Sequence, residues 1–189
     1  MLEELLQYDK ELFLYLNGLG VDSWDSFWMF ATNKVNSIPL YILLLVVSYR
    51  QLGLKKTLVL LVTVGFLIGV TDQLANFFKY GVQRLRPCYD SDVTNLMRLV
   101  KDSCGGKFGY FSAHASNHFS IAIFFTLLLK SKFAYIGIPM FVWASMIAYS
   151  RIYIGVHFPL DVFTGVAIGL ILGWVFVKLY KLFLKKFRI

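Results

Sequence analysis

Five long apolar runs are the feature that most constrains how this chain can fold. They cover residues 24–50, 57–78, 115–129, 133–149 and 160–180, and each is long enough, or nearly so, to cross a hydrocarbon core about 30 Å thick. With 58% of the 189 residues hydrophobic and only 16% charged, the composition is that of a membrane protein. The sequence therefore predicts an all-α, polytopic bundle of about five transmembrane helices. We interpret the first run as one kinked span, because Asn33-Lys34-Val35-Asn36 and Pro39 interrupt it.

The distribution of basic residues predicts the orientation of these spans. Three short segments, 50–56, 130–132 and 178–189, hold ten Lys or Arg residues and no acidic residue. The positive-inside rule makes these segments cytoplasmic, so five spans place the N-terminus outside an inner (cytoplasmic) membrane and the C-terminus inside. The net charge of +8 comes mostly from these segments, which favours contact with anionic lipid over nucleic-acid binding.

The N-terminal residues predict an amphipathic helix within 1–20. Leucines and Phe13 recur at helical spacing in residues 2–16, with acidic side chains between them, so we expect this helix to lie on the outer membrane surface. Its acidic leader does not match a signal peptide, and we expect no cleavage there. Because the chain contains no internal repeat or interdomain linker, we expect a single domain over 1–189.

The longest stretch outside the spans, about 80–110, is predicted to be an extracytoplasmic loop. Within it, Val93, Leu96, Met97 and Val100 have the spacing of a short helix that could cap a site. Both cysteines of the chain, Cys88 and Cys104, lie in this loop. The predicted topology places them in an oxidising compartment, but two thiols on one side of a membrane do not by themselves establish a disulfide, so the pairing stays open.

Polar residues that could bind a ligand or take part in a reaction lie at the outer ends of the spans. Lys79 and Arg86 lie near each other at the outer end of the second span, and an ammonium with a guanidinium suits an anionic head group. The alternative is that both are snorkelling anchors. Ser112, Ala113 and His114 precede the third span, so backbone N–H groups of the helix start would face an anion there.

The last polar group combines Arg151 with His157 and Asp161. The spacing i, i+4 could set the Asp161 carboxylate against an imidazole nitrogen, fix its tautomer and leave the other nitrogen as a nucleophile or base. The alternative is a His–Asp pair that caps a helix. His118 lies four residues after His114, but the segment lacks the glutamate and cysteine of zinc sites, so we expect a hydrogen-bonded side chain inside the bundle, with a supporting role open.

Two further polar residues border the same region. Asp72 on the second span could pair with a cation of the site or make a simple contact between helices. For Lys34 in the first run we expect snorkelling to the outer interface.

These motifs together resemble the type-2 phosphatidate phosphatase superfamily of membrane lipid phosphatases. The resemblance rests on Lys79-x6-Arg86-Pro87, then Ser112-Ala113-His114, then Ser150-Arg151-x5-His157-x3-Asp161, and extends over about 72–173. The middle motif of the family is usually Pro-Ser-Gly-His. In this chain Phe111 and Ala113 replace the proline and the glycine, which narrows the pocket without removing the amide donor.

The resemblance implies a role for each matching residue. His157 would attack phosphorus to form a phosphohistidine, Asp161 would orient it, and His114 would protonate the leaving oxygen and then activate water. The phosphate oxygens would be held by Lys79, Arg86, Ser112, Ala113 and Arg151. No metal and no other cofactor is expected, because fixed cations stabilise the charge of phosphoryl transfer.

The implied substrate is a lipid phosphate that enters sideways from the outer leaflet of the bilayer, at a site on the extracytoplasmic face. Undecaprenyl pyrophosphate or phosphatidylglycerol phosphate is preferred, with lipid A as an alternative; no obligate protein partner is inferred. Vanadium haloperoxidases share this anion site, but they are larger and soluble. A non-catalytic scaffold or transporter would keep the helices without needing both histidines.

Overall fold

The computed structural model describes residues 1–189, and all of its named elements are helices, which confirms the predicted all-α class. Two short 3-10 helices, Lys34–Ser37 and Pro87–Tyr89, accompany seven α-helices. The α-helices are α1 (Leu2–Gly18), α2 (Asp22–Thr32), α3 (Ile38–Leu52), α4 (Leu54–Val82), α5 (Ala113–Leu129), α6 (Gly137–Tyr153) and α7 (Pro159–Phe187).

Several of these helices are apolar enough to cross a membrane. The helical stretch Lys34–Leu52 has 19 residues, and α4 and α7 have 29 each, whereas the apolar α5 is shorter. The single kinked span expected over 24–50 is wrong. The chain turns at Asn33, whose backbone is extended and whose side chain accepts a hydrogen bond from the Val35 N–H, so α2 packs on α6 while α3 packs on α4.

Helices α5 and α7 are the most closely packed pair in the bundle. Gly165, Gly169 and Gly173 follow one another at four-residue spacing on α7, and each faces a backbone carbonyl of α5. These carbonyls belong to Ser112, Ser116 and Ser120, and a Cβ atom at any of the three glycines would collide with one of them. Small residues at such spacing allow helix backbones to approach closely, and here they fix α5 against α7.

The basic segments gather at one end of the bundle. The Tyr180 hydroxyl donates to the Lys56 carbonyl over 3.2 Å, and Lys181 Nζ donates to the Leu127 carbonyl over 3.2 Å. The opposite end collects the last turns of α4 and α6 and the first turns of α5 and α7. The motif residues therefore lie at the end away from the basic segments.

The N-terminal helix predicted within 1–20 is present as α1. Leu2, Leu5 and Leu12 are exposed, whereas Asp9, Phe13 and Asn17 are buried against the bundle. One stripe of α1 thus contacts protein, while the leucines remain free on its outer side.

The long connection after α4 is held together at its two ends. Cys88 and Cys104 form a disulfide with a Cα–Cα distance of 6.3 Å, which answers the question that the sequence left open. The Arg86 N–H donates to the Lys107 carbonyl and the Gly109 N–H to the Arg84 carbonyl. The short helix expected from Val93 to Val100 is a series of turns followed by irregular backbone instead, although Val93 and Met97 do pack on the main core.

Candidate active site

A polar cavity of about 280 Å³ opens at the motif end of the bundle. Eight of its nine lining residues are polar or charged, in contrast to the apolar grooves on the sides of the helices. The lining residues are Lys34, Asp72, Asn76, Lys79, Arg86, Ala113, His114, Arg151 and His157. Six of the eight site residues predicted from sequence therefore share one cavity, while Ser112 and Asp161 stand behind its wall.

His157 lies in the tight connection between α6 and α7. The Val156 and His157 N–H groups both donate to the Arg151 carbonyl, over 3.1 and 3.3 Å. Gly155 adopts a left-handed φ of +82°, where a side chain would also collide with the Arg98 carbonyl, so the turn requires glycine. This geometry fixes His157 in the cavity wall with 2% of its surface exposed.

The Asp161 carboxylate orients the imidazole of His157. Asp161 Oδ2 lies 3.4 Å from His157 Nδ1 and accepts a hydrogen bond of 3.1 Å from the Phe158 N–H. Because Nδ1 faces the carboxylate, Nε2 is the nitrogen left for chemistry in the cavity. The arrangement matches the predicted dyad, and Asp161 also caps the start of α7.

Burial lowers the pKa of His157 well below its ordinary value, and the positive charges of Arg86, Arg151 and Lys79 lower it further. His157 belongs to the α6–α7 connection, outside the helices. Its imidazole is therefore neutral at physiological pH, and the lone pair on Nε2 is available to attack an electrophile.

Backbone carbonyls of the long connection hold the Arg86 side chain. Nη1 donates to the Cys104 carbonyl over 2.6 Å, and Nε donates to the Phe108 carbonyl over 3.2 Å. The Arg86 backbone is extended, as expected for a residue before Pro87. Its remaining N–H groups are free to bind a phosphate oxygen in the cavity.

Arg151 carries an unsatisfied donor at the cavity. Only 6% of this residue is exposed, and its Nη1 donates to the Thr32 hydroxyl over 2.6 Å. Its Nε is buried and has no hydrogen-bond partner. A buried unpaired donor destabilises a protein by roughly 1–3 kcal/mol, and an anion in the cavity would supply the missing acceptor.

The first turn of α5 contributes differently from the prediction. Ser112 is fully buried: its N–H donates to the Asp161 carbonyl over 2.9 Å, and its hydroxyl accepts from the Ala115 N–H. The hydroxyl thus caps α5, and the cavity wall here is Ala113 and His114, not Ser112. The N–H groups of a first helical turn lack partners within the helix, so they suit an anion.

Three further polar residues complete the surroundings. His118 Nδ1 lies 2.7 Å from the His114 carbonyl, and its ring packs on Trp143, as predicted for a hydrogen-bonded side chain inside the bundle. Asp72 accepts a hydrogen bond of 2.8 Å from Asn117 and also lines the cavity. Lys34, expected at the membrane interface, borders the cavity as a fourth cation. No group of three or more His, Cys, Asp or Glu residues is placed to hold a metal ion.

Sequence reasoning missed two charged residues behind the site. Arg84 donates to Asp161 Oδ1 over 2.8 Å and also pairs with Asp9 of α1. The only signal in the sequence was the position of Arg84 two residues before Arg86. Nothing in the sequence connects Asp9 to the site, because it stands 75 residues away from its partner.

Apolar helices around a polar cavity with four cations are the architecture expected of a membrane lipid phosphatase. The sequence model of the PAP2 superfamily matches residues 56–185, which include every residue of the three motifs, and the chain belongs to this superfamily.

Named relatives and solved structures agree with this membership. The chain is 34% identical to a lipid A 4'-phosphatase of Bacteroides thetaiotaomicron, over 93% of this chain and 78% of the relative. It is 28% identical to an undecaprenyl-diphosphatase of Sulfolobus acidocaldarius, over 92% and 77%. The crystal structure of Aquifex aeolicus LpxE superposes with a TM-score of 0.64 at 30% identity, covering 89% of this chain and 93% of that one. A PAP2-type phosphatidylglycerolphosphate phosphatase from Bacillus subtilis, 20% identical, shares the fold with a TM-score of 0.72 over 94% of this chain and 86% of that one.

Proposed function

We propose that this protein removes a phosphate group from a lipid A-type glycolipid through a phosphohistidine on His157. The observation that carries the chemistry is the pairing of His157 with Asp161 at a cavity lined by four cations, Lys34, Lys79, Arg86 and Arg151. The substrate class rests on the relative of 34% identity, which is a lipid A 4'-phosphatase. This choice replaces the preference for undecaprenyl or phosphatidylglycerol lipids that the sequence alone suggested.

In the first step, His157 Nε2 attacks phosphorus, and an N–P bond forms while the bond from phosphorus to the lipid oxygen breaks. Lys79, Arg86 and Arg151 hold the other phosphate oxygens and stabilise their charge. His114 gives its proton to the leaving lipid oxygen. In the second step, water attacks phosphorus, His114 takes one proton of that water, the N–P bond breaks, and inorganic phosphate leaves.

The first step needs a protonated His114, and the substrate itself favours that form. The four cations that line the cavity with His114 oppose an imidazolium there. A phosphate dianion brings negative charge to the same place and so favours the imidazolium over the neutral ring. Proton donation is thereby linked to occupation of the cavity.

The location of the site supports a substrate from the outer leaflet. The cavity lies at the end of the bundle opposite the basic segments 50–56, 130–132 and 178–189. Since basic loops favour the cytoplasmic side, we place the cavity at the extracytoplasmic face of the inner membrane. A lipid that diffuses in that leaflet reaches the cavity without leaving the bilayer.

Undecaprenyl pyrophosphate is the second candidate substrate. The four cations of the cavity face only one carboxylate in its lining, that of Asp72, and a diphosphate carries more negative charge than a monoester. The relative from Sulfolobus acidocaldarius, an undecaprenyl-diphosphatase, supports this alternative.

The test is phosphate release by purified protein in detergent with EDTA, with lipid A, undecaprenyl pyrophosphate, phosphatidylglycerol phosphate and phosphatidate as separate substrates. We expect the fastest release from lipid A, and none from any lipid by the His157→Ala variant. Exclusive release from undecaprenyl pyrophosphate would replace lipid A by the second candidate. A folded protein that cleaves none of the four, or a His157→Ala variant with full activity, would overturn the proposal.

A further inference from the structure

Helix α1 packs along the segment 152–161, which carries His157 and Asp161. Its buried stripe consists of Asp9, Phe13 and Asn17, one helical turn apart. The Asn17 side-chain amide donates to the Ile152 and Tyr153 carbonyls, over 3.1 and 2.9 Å. The Phe13 ring meets the Phe158 ring edge to face, with 5.2 Å between centroids, and Asp9 Oδ1 accepts a hydrogen bond of 2.8 Å from the Leu160 N–H.

Arg84 connects this helix to the carboxylate that orients His157. One side of its guanidinium donates to Asp161 Oδ1 over 2.8 Å, and the other side pairs with Asp9 Oδ2. The guanidinium lies over the Phe158 ring, 4.5 Å from the centroid. Neither Arg84 nor Asp9 lines the cavity, so both act behind the reacting groups.

The charge of Asp161 needs this support. The residue is completely buried, and a buried carboxylate without a cationic partner takes up a proton instead of staying ionised. A protonated Asp161 would no longer accept a hydrogen bond from the Nδ1–H of His157. The imidazole could then carry its proton on Nε2, and Nε2 would have no lone pair for the attack. Arg84 supplies a cationic partner to Asp161, and the Asp9 carboxylate pairs with the other side of the same guanidinium.

We propose that Asp9 and Arg84 are positioning residues for catalysis, and that α1 is a scaffold for the catalytic segment in addition to lying beside the membrane. This inference rests on the proposed roles of His157 and Asp161. Its consequence is that removing either charge reduces the rate of the chemical step while leaving lipid binding intact.

The test compares Asp9→Asn and Arg84→Gln with wild type in the full-length protein. Phosphate release is followed with lipid A, or with whichever lipid of the four-member panel wild type cleaves. We expect kcat to fall about 10- to 100-fold, as for other partners that orient a catalytic side chain, with KM changed by less than about twofold. A wild type without activity on the panel would be a failure of the proposed function and not of this inference.

Lys10→Gln is the matched control. Lys10 follows Asp9 on α1 and pairs with Asp90 and Asp92 of the long connection, at 3.0 and 2.7 Å. The substitution removes an ion pair of the same helix without touching the Arg84 bridge, so kcat should stay at the wild-type value. Equal losses in Lys10→Gln and Asp9→Asn would mean that α1 only stabilises the fold.

The pH dependence of kcat separates positioning from a general loss of structure. Besides Arg84, the charged or titratable groups that act on Asp161 are Arg86, His157 and Asp9. Arg84→Gln removes the cation that pairs with this buried carboxylate, so kcat of the variant should recover partly as the pH rises and the carboxylate ionises.

Two more variants complete the experiment. Arg84→Lys keeps the positive charge but cannot make both hydrogen bonds, so its kcat should lie between those of wild type and Arg84→Gln. The fall in kcat of the double variant Asp9→Asn/Arg84→Gln should be no larger than that of Arg84→Gln alone, because the two residues act as one unit. An Arg84→Gln protein with wild-type kcat and an unchanged pH profile would overturn the inference.

Discussion

The Arg86 guanidinium donates to the backbone carbonyl of Cys104 over 2.6 Å, and Cys104 is one half of the disulfide to Cys88. A cation of the cavity lining is thus held by a carbonyl whose position depends on a disulfide between cysteines sixteen residues apart. The disulfide stabilises the connection and also determines where Arg86 points.

We therefore predict that Cys88→Ser/Cys104→Ser binds its lipid more weakly. Closing a loop of this length adds about 3 kcal/mol in the chain-entropy model, so a lower melting temperature is expected as well. KM should rise about tenfold, since each tenfold loss corresponds to roughly 1.4 kcal/mol of binding. Steady-state kinetics with and without dithiothreitol check this. Dithiothreitol should raise the KM of wild type and leave the KM of the double-serine variant unchanged. A wild-type KM that does not respond to the reductant would contradict the prediction.

Thr32→Val should weaken phosphate binding although Thr32 does not line the cavity. The substitution removes the hydroxyl that accepts from Arg151 Nη1, so the guanidinium loses its only side-chain partner. We expect KM to rise about three- to tenfold, because a typical hydrogen bond contributes about 0.5–1.5 kcal/mol and each tenfold change corresponds to roughly 1.4 kcal/mol, with kcat nearly constant. Thr32→Ser retains the hydroxyl and serves as the control. A normal KM in Thr32→Val would show that Arg151 is held without Thr32.

Gly169→Ala should destabilise the protein, because its Cβ would collide with the Ser116 carbonyl across the α5–α7 contact. Overpacking of this kind reduces the free energy of unfolding by about 1–3 kcal/mol. Gly65→Ala is the matched control, since a Cβ at Gly65 meets no atom within 4 Å and alanine has the higher helix propensity. Thermal unfolding in detergent measures both variants, and equal melting temperatures would contradict the proposed close contact.

The acid limb of kcat/KM should lie well below pH 6.5, the ordinary pKa of histidine. His157 attacks only as the neutral ring, so activity is lost as the pH falls through its pKa. Burial and the nearby cations lower that pKa, and the loss is displaced to more acidic pH. Arg86→Gln removes one of these cations, so its acid limb should move to higher pH while kcat/KM falls. An acid limb at the wild-type pH would mean that the charge of Arg86 does not affect the pKa of His157.

The predicted orientation can be tested independently of activity. A fluorescent-protein fusion after Ile189 should be bright, and an alkaline phosphatase fusion at the same place should be inactive, because the C-terminus follows the basic segment 178–189. The reverse pattern would place the cavity on the cytoplasmic face.

Much of the site could be predicted from sequence, because its motifs are local. His157 and Asp161 are one helical turn apart, and Arg86 stands next to Pro87, so spacing alone indicates their relationship. The Arg84 bridge joins residues 75 and 77 positions apart, and only the folded bundle brings them together. No periodic pattern encodes such a contact.

The fold was predictable in class but not in every helix. The apolar run from 24 to 50 hides a break at Asn33, where a side chain caps a new turn. The spacing from Val93 to Val100 resembles a helix, yet these residues form turns and irregular backbone within a connection that a disulfide closes. The glycines Gly165, Gly169 and Gly173 did carry a readable signal, since four-residue spacing of small residues is typical of close helix pairs in membranes.

The seam between α5 and α7 also has an evolutionary consequence. His114 lies in the first turn of α5 and His157 precedes α7, so direct backbone contact sets the relative position of the two imidazoles. By contrast, an apolar cleft of about 260 Å³ between α3, α4 and α5 is lined by ten hydrophobic residues. We expect relatives to differ in lipid preference through substitutions along α3 and α4, where side chains can be exchanged freely. The α5–α7 contact, and with it the position of the two histidines, should stay the same.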